Sequence, residues 1–133
     1  MADHVEGGFE TTSWDEKECQ ALGEGGAKVT RATFAQRFSG GIDAETVSET
    51  VMTYREDGTA DFVGYVRVNG RLSGRPGTFV LQNVGAFDGK EVKAETEVVR
   101  GSATGELTGL TGKGTYAAPL GSTGSYSLDF SVG

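Results

Sequence analysis

The chain has 133 residues, the usual size of a domain with one core, which leaves no room for a second sizeable domain. Its net charge of −7 and pI near 4.7 argue against a phosphate backbone or an anionic lipid surface as partner, and its 22 Gly against only 2 Pro describe a chain that turns often. No apolar run is long enough to span a bilayer, residues 1–6 carry neither a basic nor an apolar leader pattern, and the single Cys19 makes no internal disulfide, so a cytoplasmic location is expected.

In chain order, residues 1–6 read as a flexible terminal segment that carries the only histidine, His4. This leaves no histidine for a metal, a triad or a general base inside the fold. A first strand is expected over 8–14. Residues 15–22 are the one stretch with a helical pattern; Cys19 lies there among carboxylates that disfavour its thiolate. The second strand, 28–39, puts Ala32, Phe34, Gln36 and Phe38 on one pleat face and Arg31, Thr33 and Arg37 on the other. The third, 44–55, divides into Val47, Glu49 and Val51 against Thr50, Met52 and Tyr54, and the two valines draw Glu49 inward; the alternative is a solvent-facing Glu49.

A fourth strand over 60–68 opposes Phe62, Gly64, Val66 and Val68 to Val63, Tyr65 and Arg67, and a fifth over 77–84 opposes Phe79, Leu81 and Asn83 to Val80 and Gln82. Further strands are expected over 91–99, 105–109 and 125–132. Asp57-Gly58, Asn69-Gly70 and Asp88-Gly89 lie between strands and are the residues that a tight hairpin turn requires. The fold predicted is therefore all-β: a meander of eight antiparallel strands closed into a barrel.

Two patterns resist a sharper reading. Gly112-Lys113-Gly114-Thr115-Tyr116-Ala117 fits the dinucleotide pattern G-x-G-x-x-A, but no helix follows it, which leaves a glycine-kinked strand. Asp43/Glu45/Glu49 and Glu91/Glu95/Glu97 are too widely spaced along their strands for a cation site and read as solvated outer faces, so no metal is expected.

The runs Gly8-Phe9-Glu10-Thr11-Thr12-Ser13-Trp14-Asp15-Glu16, Gly77-Thr78-Phe79-Val80-Leu81-Gln82-Asn83 and Gly101-Ser102-Ala103-Thr104-Gly105-Glu106-Leu107, followed by Gly112-Lys113-Gly114, resemble a bacterial domain-of-unknown-function family whose members adopt the allene oxide cyclase-like barrel. The resemblance covers nearly the whole chain and is most specific over 101–114. Glu49 matches the family's Glu on strand three, whereas Val66, Asn83 and Thr96 stand where a Glu, a His and a Trp are usual, so the interior is re-lined. Bacterial relatives within that barrel class include natural-product cyclases, which implies a substrate held in a reactive conformation; fold alone does not fix function.

Gln36, Asn83 and Glu49 interrupt apolar faces, and in a dry core each would cost about 1–3 kcal/mol. A cavity accommodates them. The expected site has Glu49 as the acid/base group, Asn83 and Gln36 polarising a carbonyl, and Trp14, Phe34, Phe38, Tyr54, Tyr65, Val66, Phe79 and Leu81 binding an apolar substrate. The function expected is a cofactor-independent cyclase or isomerase of secondary metabolism acting by confinement, in a homodimer or homotrimer. The alternatives are a lipocalin-like carrier of a small hydrophobic molecule and an assembly role through sheet edges.

Overall fold

The computed structural model describes residues 3–119 and 123–132. Eight antiparallel strands form one closed barrel in chain order: β1 (Asp3–Ala21), β2 (Lys28–Gly40), β3 (Ile42–Tyr54), β4 (Ala60–Leu72), β5 (Arg75–Phe87), β6 (Glu91–Val98), β7 (Thr111–Pro119) and β8 (Gly124–Ser131). Each strand pairs with its chain neighbour, and β1 closes the barrel on β8 from Asp3↔Phe130 to Phe9↔Gly124. No helix among the described residues is long and apolar enough to cross a membrane.

Residues 3–6, expected to be flexible, are paired strand, and residues 1 and 2 lie outside the described residues. The helix expected over 15–22 is instead the second half of β1, which reaches Ala21 with register shifts at Thr11/Ser13 and Glu18/Gln20. Pairing with β2 over that whole length outweighs a two-turn helix, which is marginal in isolation. Asn69-Gly70 does not turn. Both residues stay in β4, and the hairpin reverses at Ser73-Gly74, where φ is 51° and 83°, the left-handed pair that a type I′ turn needs.

The strand expected over 105–109 is also displaced. Gly105–Leu107 is a single 3₁₀ turn, and β7 begins only at Thr111. The turn drives Leu107 into one end of the barrel beside Leu110, where both join Ile42, Leu72, Phe79 and Leu128 in a fully buried plug. At the opposite end the inward positions are Ala32, Met52, Phe62 and Ala94, a thinner cluster flanked by half-buried Phe34, Tyr54, Val92 and Tyr116. With alanine at two of these four positions, the interior there is left unfilled. The barrel is consequently a cup, packed at one end and hollow at the other.

Candidate functional site

The hollow end encloses a cavity of about 620 Å³, within the range of small-molecule sites. Trp14 from β1, Phe34 from β2, Met52 and Tyr54 from β3 and Phe62 from β4 supply much of its apolar wall. Beneath it lies a void of about 30 Å³, large enough for one water-sized group. Phe9, Gln36, Asn83 and Tyr116 line both spaces and so form the floor of the cup. Phe9 is held there by stacking on Phe38, with centroids 5.1 Å apart, and by the edge of Tyr116 at 5.8 Å.

The floor is polar where a core would be apolar. Asn83 and Thr96 are directly opposite one another on β5 and β6, and both are more than nine-tenths buried. Asn83 Oδ1 and Thr96 Oγ1 have no hydrogen-bond partner among the described residues, an arrangement that costs about 1–3 kcal/mol per group. Their outer neighbours in the ladder are Gly64 and Gly114, which bring no side chain to meet them. A Cβ at Gly114 would strike the Ser127 carbonyl oxygen and the Leu128 Cα, so the close approach of β7 to β8 demands glycine there.

Burial pushes the Tyr116 hydroxyl well above the ordinary tyrosine range, partly offset by the adjacent Asn83 amide, so it stands in the floor as a neutral phenol. Tyr54, at the mouth, is pushed up to about 12 by burial and by Glu16. The Tyr54 hydroxyl donates to Glu16 Oε2 at 2.9 Å, and the Thr30 hydroxyl donates to the same oxygen at 2.5 Å. No Lys, Arg or His among the described residues lines either space, and Glu10 is the one carboxylate that does. The cavity is thus equipped to hold a neutral molecule and to hydrogen-bond one end of it.

The structure divides the predicted site residues. Gln36 and Asn83 lie in the floor; Trp14, Phe34 and Tyr54 line the large cavity, with Trp14 tilted on Phe34 at 5.6 Å and 59% exposed. Phe38, Val66 and Leu81 line the small void, and Phe79 is buried in the plug. Glu49 and Tyr65 are corrections. They are cross-strand partners on the outer surface of β3 and β4, where Glu49 lies 3.9 Å from Arg67 and Tyr65 is half exposed. The inward face of β3 runs in alternation from Ile42 through Ser48 and Thr50 to Tyr54 with no acidic residue on it, so no carboxylate enters the cavity from that strand.

Tyr116 and Glu16 were not anticipated. The alternation Gly112, Gly114, Tyr116, Ala118 carries the signal for Tyr116, whereas the bulge at Thr11/Ser13 hides the inward turn of Glu16.

The model of DUF3224, a family of proteins of unknown function, matches residues 5–130. The fold is similar to the crystal structure of a DUF3224 protein of unknown function from Shewanella oneidensis MR-1, with a TM-score of 0.83 and 30% identity over 100% of this chain and 99% of that one. No curated protein matches the chain.

Proposed function

The chain belongs to DUF3224, a family of unknown function, and from its own cavity we propose that it is a binding barrel for a small, largely apolar, neutral molecule. The observation that carries this reading is the 620 Å³ cup with aromatic walls and a polar floor in a barrel whose other end is fully packed. Burying apolar ligand surface contributes about 25 cal/mol per Å², and the hydrogen-bonding groups at one end select an orientation.

A second reading, cyclisation or isomerisation by confinement, is favoured by the neutral Tyr116 phenol and Asn83 amide, which are able to polarise a carbonyl. With Glu49 on the outer surface, that chemistry has no carboxylate base from β3 and depends on holding the reactive conformation.

Titration with the neutral fluorophore Nile red tests the reading. The probe is expected to bind, to quench Trp14, and to be excluded by Thr50→Trp, which fills the cavity opposite Gly64, with the far-UV spectrum unchanged. Absence of binding to the natural chain, or equal binding to the filled variant, would overturn it. Incubation with a linear polyene and mass-neutral product analysis then separates a catalyst from a carrier.

A further inference from the structure

We propose that Asn83, Thr96 and Tyr116 form a seat for a hydroxyl group, so that the cavity takes a neutral apolar alcohol or phenol, polar end down. The inference rests on the binding reading above and specifies its ligand. Asn83 Oδ1 and Thr96 Oγ1 are buried side by side without partners, and the glycines on either side of them in the ladder offer none. Burial without a hydrogen bond is tolerated where something completes the bond, and both residues line the 30 Å³ void beneath the main cavity, which has room for one small polar head.

The identity of that head follows from what the floor offers. A hydroxyl donates and accepts at once, so it gives its proton to Asn83 Oδ1 and takes one from Thr96 or Tyr116; the same group also satisfies the opposite orientation of the Asn83 amide. A carboxylate only accepts, carries a charge, and finds no cation among the described lining residues. An ammonium head would bury its charge against neutral groups, because Glu10, the one carboxylate of the lining among the described residues, borders the main cavity and not the void. An ether or ester cannot give Asn83 Oδ1 a proton. The main cavity above then receives the apolar remainder, with Phe34 and Trp14 towards the mouth.

Displacement of Nile red from the full chain by a matched series tests this: dodecanol, its methyl ether, dodecanoate and dodecylammonium, each below its aggregation concentration. Dodecanol is expected to displace the probe at roughly one tenth the concentration that the other three require, or less. Thr96→Val, which keeps the side-chain shape and removes the hydroxyl, and Asn83→Leu should shrink that preference, read against each variant's own Nile red affinity, to about twofold. Equal displacement by the alcohol and its ether, as expected if a water alone occupies the void, overturns the inference and leaves the binding reading standing. Preference undiminished in both variants also overturns it. Failure of Nile red to bind the natural chain removes both readings together.

Discussion

Glu49 sits where its carboxylate meets solvent and Arg67, a pairing at 3.9 Å between two exposed side chains. Such a pair contributes little, so Glu49→Gln is expected to leave Nile red affinity unchanged and to change the unfolding free energy obtained from urea titration by less than about 0.5 kcal/mol. A marked loss of affinity in a fluorescence titration would return Glu49 to the site. The strand around it also shows why some inward residues were legible and others were not. Phe34 and Gln36, Phe62 and Val66, Leu81 and Asn83 follow the rule that the apolar face points in, and the structure puts them there. On β3 the rule inverts: Ser48 and Thr50 face the cavity, whereas Val47 and Val51 are exposed. The outward valines are held by cross-strand neighbours, Val51 by Val63 and Val63 by Val84, a row on the outer surface that suits β-branched residues. Hydrophobicity therefore assigns Glu49 the wrong face, and only the register of β3 against β4 corrects it.

Among the elements, β2 to β6 were legible because alternation runs unbroken between turn residues such as Asp57-Gly58 and Asp88-Gly89. Besides the misplaced turn at Asn69-Gly70 and the paired residues 3–6, two failures share a cause. In 15–22 and 105–109 the local pattern is weak, and a distant partner decides: β2 extends β1, and the plug draws Leu107 into a 3₁₀ turn. His4 is another residue whose role depends on a remote strand. Its ring bonds Asp129 of β8 through Nδ1 at 2.6 Å and Glu6 through Nε2 at 3.0 Å, and these two carboxylates raise its pKa above 6.5. A raised folded value stabilises the protein fully below the unfolded value and ceases to do so as pH rises through the folded one. His4→Gln should therefore lower Tm near pH 6 and match the natural chain by about pH 9 in scanning calorimetry. A gap independent of pH would assign the contact no titrating role.

For the molecule as a whole, the barrel was legible and its lopsidedness was not. The cup depends on where small residues cluster once strands are in register, as Ala32, Gly64, Ala94 and Gly114 do, and no single strand displays that arrangement. Closure has its own consequence, in time. Seven of the eight pairings join neighbours along the chain, so each forms by closing a short loop, while β1 must find β8 across the full length of the polypeptide. Tyr126 helps to fasten this seam: its hydroxyl donates to the Ser39 carbonyl at 2.7 Å and accepts the Ile42 amide at 2.8 Å, tying β8 to the β2–β3 hairpin. The seam is expected to zip last during folding and to open first in the native state, a partial unfolding below the global limit. Native-state hydrogen exchange at low denaturant should accordingly find the amides joining β1 to β8 less protected than those joining β3 to β4; uniform protection around the ring would mean that the barrel opens only by unfolding entirely.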